Sequence, residues 1–579
     1  MTQPGAPLLP LPTVMLPAWR ATALWVMVTL GLAAVMAEAW QAQVERGPFL
    51  RNQGAQRYLR HFALPAQRGA ILDRSGKPLA LSVPVQTLWV DPRLFNAQQA
   101  QWPQIASVLG VSAATLATRI RSGGSRFAFL ARQIAPERAA AILALHIPGL
   151  YSFNENRRYY PSGSIAAPLL GFTNVDGRGI EGLELAYNQW LRGKAGEATG
   201  LRDNLGHPLA ILGTARPAQP GQTLTLSIDR NIQYVAYTAL ASAVQRFQAR
   251  SGAAVLMNAR TGEILAMASY PSFNPNDRGD FQPSLYNNRA VADTLEPGSV
   301  MKPFTIAAAL QDHVITMHSI FHTAPGCMMM YGNRICDDSN NGTIGLPQVI
   351  EYSSNVATGQ IVMRMKPQEQ WDMYTAVGFG QRPQVPFPGS SSGRLRPWKS
   401  WRPIDAVTQG FGYGLAVSTF QLAHAYLLFA DDGKLPAATL LENAPPTPAV
   451  RLVSPEVAAD IRSMLALVTT PTGTAPRAQV PGYATGGKTG TAYIWKGNAY
   501  DHHDFRAQFA GMVPINHPRL VMAVSVDQPQ GARHFGGQIA APVFSQVMAQ
   551  ALRILGVPPD LPVTPDVAPA GQLQAGAAG

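Results

Sequence analysis

Residues 21–37 (ATALWVMVTLGLAAVMA) run for 17 positions without a charge. As a helix this run reaches roughly 26 Å, close to the thickness of a hydrocarbon core once Ala39 and Trp40 are added. A chain with such a segment must leave it in a membrane or lose it during export. Ala37-Glu38-Ala39 is an A-x-A-like cleavage site. Against cleavage, the run exceeds the ~7–15 residues of a signal core. The 20 residues before it also hold five prolines and a single Arg20, unlike a basic leader. The preferred reading is an uncleaved anchor at 21–40 behind a cytoplasmic stub at 1–20. Both routes place the rest of the chain outside the cytoplasm, although one arginine gives only a thin positive-inside signal.

At 579 residues the exported part exceeds one core and implies two or three domains. The formal net charge is +12 and the isoelectric point about 9.8, which suits an anionic partner. A membrane surface or an acidic polymer fits better than nucleic acid, and because the basic residues are scattered singly, with no basic run and no nucleic-acid-binding pattern, a mildly basic solvated surface is the preferred reading. The chain has two cysteines, Cys327 and Cys336. Two thiols do not make a four-ligand zinc site, and outside the cytoplasm such a pair bridges more often than not. Two free buried thiols remain the alternative.

The exported part divides by pattern. Residues 68–92 read as two short strands around the turn Asp73-Arg74-Ser75-Gly76, and 100–150 turns helical. Nothing between 41 and 220 groups into a nucleophile or metal constellation, so 41–222 is expected to be a pedestal for docking or dimerisation-like contacts. A Pro/Gly stretch then leads into a helix opening near Asp229, with apolar residues at 232, 235, 236, 239, 240, 243 and 244. Residues 251–269 form a hairpin through Thr261-Gly262. KTGTAYIW, FRAQFAGMVP and RLVMAVSVD are three further strands, and APVFSQVMAQALRIL a closing helix. Strands at both ends of 223–558 around a helical middle predict an α+β domain: an antiparallel sheet covered by helices, with an all-helical subdomain. The tail 559–579, rich in Pro, Ala and Gly, is expected to be disordered.

Three short motifs carry chemistry. In EPGSVMKP, Ser299 and Lys302 lie three apart behind a Pro-Gly turn, so on a helix they share a face. A serine hydroxyl needs a base to become a nucleophile, and lysine serves only when burial or neighbouring cations lower its pKa. The helix start supplies amide N–H groups to an oxyanion. This Ser-x-x-Lys occurs once. Ser353-x-Asn355 is a weak pattern by itself, repeated at Ser152, Ser272 and Ser339; its place between the other motifs, opening an apolar helix, singles it out. In GGKTGTAY, Lys488 supplies positive field, Thr489 and Thr491 offer hydroxyls to a carboxylate, and Gly490 admits close backbone approach.

The order Ser-x-x-Lys, Ser-x-Asn, Lys-Thr-Gly is shared by penicillin-binding proteins and class A β-lactamases. Together with RGAILDRSGKPLALSVPV, RRYYPSG, GFTNVDGRGIEGLE and FGYGLAVSTFQLAHAY, over about 65–550, the chain resembles a class B penicillin-binding protein, most like the septal transpeptidase of cell division. The resemblance implies D,D-transpeptidation of peptidoglycan stems. Ser299 is the nucleophile, Lys302 its base, Ser353 a proton relay and Asn355 a holder of the stem amide. Lys488 and Thr489 bind the substrate carboxylate, and the N–H groups of Ser299 and Thr491 form the oxyanion hole. β-Lactams would acylate Ser299, and no metal or cofactor is implied. It further implies a single-pass protein of the inner membrane at the division septum, its catalytic part in the periplasm. Partners would be a polytopic glycosyltransferase and bitopic division proteins, and the substrate stems lipid-linked or polymerised. The chain departs from the family in having Val300 after the serine where a threonine or small residue is usual, in its cysteine pair, and in a stub without a basic cluster.

The alternatives are weaker. An elongation-type transpeptidase shares every motif. A β-lactamase needs neither anchor nor pedestal, and a β-lactam sensor needs a cytoplasmic signalling part. A catalytically silent divisome scaffold would not need intact motifs. Gly389-Ser-Ser-Ser-Gly393 matches a nucleophile elbow formally, but its Pro-rich surroundings predict a loop. Tyr331-Gly332-Asn333, which also occurs in class D β-lactamases, precedes Ser353 where it should follow, and reads as coincidence.

Overall fold

In the computed structural model the apolar run forms the helix Ala18–Trp40, three residues longer at its start than the expected anchor. None of its residues is buried in the protein, and among the described helices it is the one long and apolar enough to cross a membrane. Its polar hydroxyls are satisfied internally: Thr22 Oγ1 donates to the Ala18 carbonyl at 2.6 Å and Thr29 Oγ1 to that of Trp25. The structure describes residues 17–49, 59–64, 66–124, 127–202, 208–277, 282–445, 447–497, 499–531 and 533–562. Most of the expected stub, and the expected tail from 563 onward, lie outside them.

The chain forms two compact units. The first joins the region up to residue 66 with 194–219. It contains the helix Ala18–Trp40 and a three-stranded antiparallel sheet of Leu59–Leu64, Gly196–Arg202 and Pro208–Arg216. The second joins 67–193 with 220 onward, so the stretch read as one pedestal, 41–222, is divided between the two.

In the second unit, Ile71–Leu72 and Pro78–Val90 form the expected hairpin. The Asp73 carboxylate closes it, accepting from Ser75 N at 2.9 Å and Lys77 N at 2.8 Å. The helices Trp102–Leu109, Ala113–Ser122 and Pro136–Leu143 match the helical reading of 100–150. The strand Ala128–Ile134 among them does not, because it exists through pairing with Pro78–Val90, far away in sequence. Three of the recognised segments meet at Glu184, which is fully buried. Its carboxylate accepts from Arg68 Nε and Arg158 Nε, each at 2.6 Å. Arg68 also donates to Asn188 Oδ1 and Gly177 O, and Arg158 to Gly69 O, so the buried charges are bonded as well as paired. One apolar core continues from Ile71, Leu79 and Leu170 through Leu224 and Ile232 to Val255 and Phe544.

That core surrounds a five-stranded antiparallel sheet, ordered in space Ile264–Tyr270, Ser251–Asn258, Leu520–Asp527, Ala499–Val513, Gly486–Lys496. Three of its strands, Ile264–Tyr270, Ser251–Asn258 and Leu520–Asp527, read as nearly continuous apolar runs because helices cover both faces. Arg230–Arg246 and Gly536–Ile554 pack together on one face, and Thr419–Ala430 on the sheet's other side. Asp229 caps the first of these, accepting from Asn231 N and Ile232 N. Of its expected apolar positions, 232, 236, 239, 240, 243 and 244 are buried and Val235 is half-buried. The helical subdomain holds Lys302–Gln311, Leu346–Glu351, Asn355–Val362, Pro367–Ala376, Pro403–Gly410 and Pro455–Val468.

Candidate active site

Ser299 lies on a single 3-10 turn, Gly298–Met301, that runs directly into the helix Lys302–Gln311. Gly298 opens the turn at φ +57°, where a side chain would also approach the Thr491 carbonyl to 3.2 Å. The following helix is buried on every side from Lys302 to Leu310, in keeping with a sequence that is apolar there except for Lys302 and Thr305. Tyr426 anchors it, donating to the Val300 carbonyl at 2.9 Å. The Ser299 hydroxyl is partly exposed and has no hydrogen-bond partner among the described residues.

Lys302 is 0% exposed. Its amine donates to the Ser353 carbonyl and, at 3.2 Å, to Ser353 Oγ. The lysine opens the helix that follows the serine turn, and its hydrogen bonds go to the second motif. Lys488, also 0% exposed, donates to the same Ser353 Oγ at 2.8 Å and to Thr489 Oγ1 at 3.3 Å. One hydroxyl thus sits between two buried amines. Burial pulls Lys302 down to about 7, opposed by the Asp337 and Asp338 carboxylates. Lys488 is held well below its ordinary value, first by burial and then by the positive charge of Lys302. A neutral amine at Lys302 is the form that accepts a proton.

Ser353 reaches this place through a left-handed backbone, φ +61°, between the helices Leu346–Glu351 and Asn355–Val362. A serine there is strained and has to be held. Asn355, expected to hold a stem amide, donates through Nδ2 to the Cys336 carbonyl at 2.9 Å. Cys327 and Cys336 face each other across the hairpin Cys327–Met330/Asn333–Cys336 and are disulfide-bonded.

The strand Gly486–Lys496 brings Lys488, Thr489, Gly490 and Thr491 past the serine turn. Thr489 Oγ1 pairs with Thr474 Oγ1 at 3.0 Å, and Thr491 Oγ1 accepts from Gly536 N at 3.2 Å. Gly490 also has a structural reason to be glycine: a Cβ there would lie 2.7 Å from the Pro297 carbonyl, so its absence lets the edge strand close on the serine turn. Tyr331-Gly332 forms the turn of the disulfide hairpin, and Gly389–Gly393 lies in a loop.

Several supporting residues were not legible in the sequence. Glu296, just before the turn, accepts from Gly414 N at 2.8 Å and Tyr500 OH at 3.2 Å, and burial raises its pKa. Gln508 Nε2 donates to the Glu296 carbonyl at 2.9 Å, and Thr474 supports Thr489. Asp337 binds the start of the helix behind Ser353. The only local signal was that Glu296 adjoins Pro297-Gly298-Ser299; the others act across more than ten residues of chain.

A buried lysine one turn beyond a serine, set against the edge of an antiparallel sheet, defines a serine acyltransferase of the penicillin-binding kind. Residues 252–549 match the penicillin binding protein transpeptidase domain, and residues 63–226 the penicillin-binding protein dimerisation domain. The chain is 39% identical to the probable peptidoglycan D,D-transpeptidase PbpC of Pseudomonas aeruginosa, over 92% of this chain and 95% of that one. It is 34% identical to the peptidoglycan D,D-transpeptidase FtsI of Escherichia coli K12, over 95% and 94%. The crystal structure of penicillin binding protein 3 from Mycobacterium tuberculosis, complexed with aztreonam, superposes with a TM-score of 0.66 at 26% identity, covering 87% of this chain and 99% of that one. The chain belongs to the class B penicillin-binding proteins, peptidoglycan D,D-transpeptidases of the FtsI type.

Proposed function

We propose that the protein cross-links peptidoglycan stem peptides at the division septum through an acyl-enzyme on Ser299, and that β-lactams acylate the same oxygen. The observation that carries this reading is the pair of buried lysines on the Ser353 hydroxyl, with Lys302 drawn down to about 7 one turn from Ser299.

Neutral Lys302 takes the Ser299 proton as Oγ attacks the carbonyl carbon of the penultimate D-Ala. The oxyanion is held by the N–H groups of Ser299 and Thr491, which lie on the adjoining turn and strand. The bond to the terminal D-Ala breaks, its nitrogen taking a proton relayed through Ser353, and an ester remains on Ser299. An amine from a neighbouring stem then attacks the ester, forming the cross-link and returning the proton to Ser299. Lys488 and Thr489 bind the substrate carboxylate. For Asn355 to hold the stem amide it must use its second N–H or release Cys336. In this reading the helix Ala18–Trp40 anchors the protein in the cytoplasmic membrane with the catalytic unit in the periplasm. The anchor and the 41–222 region bind a polytopic glycosyltransferase and bitopic division proteins.

The test is intact-mass spectrometry of the detergent-solubilised full-length protein after a pulse of benzylpenicillin. A lasting adduct, lost in Ser299→Ala, is expected; rapid return to the free mass with hydrolysed drug would indicate a β-lactamase. Depletion giving spheres instead of filaments would move the protein to the elongation branch.

A further inference from the structure

The hairpin Cys327–Cys336 ends on a carboxylate aimed at the motif that carries Ser353. Asp337 Oδ1 accepts from Asn355 N at 2.6 Å and Val356 N at 2.9 Å, and Oδ2 accepts from Ser354 Oγ at 2.6 Å. Ser354 Oγ in turn accepts from Ala357 N at 3.0 Å. The first three amides of the helix Asn355–Val362, which have no partner within it, are thus filled by these two side chains. We propose that Asp337 is a positioning residue for the reaction, fixing through this helix turn the place of the Ser353 hydroxyl between the Lys302 and Lys488 amines. The inference rests on the function proposed above.

Three further contacts make Asp337 a fixed point. Its backbone N–H donates to the Gly326 carbonyl at 2.8 Å. The preceding residue is bridged to Cys327, so both ends of the hairpin are tied at its base. Beneath, Met330 is fully buried with Val356 and Val407 in a small separate core. Ser353 needs such an anchor because it is left-handed; the chain before it is held by the backbone bonds from Tyr352 N to the Gln348 carbonyl at 2.9 Å and from Ser354 N to the Val349 carbonyl at 3.1 Å. Without the carboxylate two helix-end amides and the Ser354 hydroxyl lose their acceptor, and the turn bearing Ser353 is left to its flanking backbone bonds and the two lysine amines. Displacement of a reacting group by about 1 Å lowers rates by as much as ~10²-fold.

Asp338 provides the control. It is exposed, its side chain makes no hydrogen bond among the described residues, and like Asp337 it lies within electrostatic reach of Lys302. The charged groups facing Lys302 are Asp337, Asp338 and Lys488. Either Asp→Asn change removes a negative charge that favours the Lys302 ammonium, and moves the acid limb of acylation to lower pH. Only the Asp337 changes disturb the turn.

The experiment measures acylation of Ser299 by a fluorescent penicillin between pH 5 and 9 on full-length wild type, Asp337→Ala, Asp337→Asn and Asp338→Asn. Asp337→Ala is expected to lower the high-pH plateau at least about tenfold. Asp337→Asn, which keeps an oxygen for the amides and conserves shape, should recover part of that loss, and it decides the matter if the alanine variant does not fold. Asp338→Asn should shift the acid limb and change the plateau less than about twofold. Plateaus within about twofold of wild type for both Asp337 variants overturn the inference, as does an equal plateau loss in Asp338→Asn, which would leave only the field of the charges. Absence of a Ser299 adduct in wild type would sink the functional reading and this inference together; normal wild-type labelling with unaffected variants sinks this inference alone.

Discussion

The pH dependence of acylation follows from the burial of Lys302. A lysine at its ordinary pKa of about 10.5 is neutral in only ~3 × 10⁻⁴ of molecules at pH 7, whereas one at about 7 is neutral in roughly half, a gain of ~10³-fold in usable base. Desolvation inside the helical subdomain lowers the pKa, and the Asp337 and Asp338 carboxylates limit the shift. The sign is set by the form required: the proton acceptor is the neutral amine, so the rate falls as pH drops. Below about 7 the second-order rate constant for a fluorescent penicillin should fall ~10-fold per pH unit, and above it level off. Because Lys302 and Lys488 share Ser353 Oγ, the observed midpoint belongs to the pair. Quenching the reaction in denaturant and reading the labelled band from pH 5 to 9 measures the profile directly. A rate independent of pH, or one still rising toward pH 10, would refute the assignment of a buried, neutral Lys302 as base.

The same burial opposes folding. A folded pKa of about 7 against about 10.5 unfolded means the unfolded chain binds more protons between these limits; the penalty is full below pH 7, on the order of 5 kcal/mol, and vanishes above 10.5. Lys302→Met should therefore abolish acylation while raising the melting temperature at pH 6 by a few °C; a lower melting temperature would contradict this. Gly490→Ala places a methyl 2.7 Å from the Pro297 carbonyl, so it should cost about 1–3 kcal/mol and slow acylation at least about tenfold, read by calorimetry and penicillin labelling. Glu184→Gln leaves Arg68 and Arg158 buried without their counter-charge and should destabilise by about 3–5 kcal/mol in denaturant unfolding; a loss under about 1 kcal/mol would mean the arginines find other partners.

Much of this protein was readable before folding. The long N-terminal helix follows from one uncharged apolar run. The sheet strands 251–258, 264–270, 486–496 and 520–527 and the helix from Arg230 follow from apolar periodicity and from caps such as Asp229. The proposed nucleophile Ser299, Lys302 and the two later motifs were singled out by residue types at fixed short spacings. Local sequence does not contain what those residues touch. The partner of Ser353 Oγ is 135 residues away at Lys488, Glu296 meets Tyr500 across 204, and Glu184 meets Arg68 across 116. The strand Ala128–Ile134 exists only through its pairing with Pro78–Val90. Periodicity and capping record the environment of one turn or one strand, whereas the depressed lysine pKa, the left-handed Ser353 and the carboxylate that holds its turn are products of desolvation and contact between distant segments. The sequence by itself determined which chemical groups are present and on which elements they ride; their electrostatics and alignment were decided by the packing of the helical subdomain against the edge of the sheet.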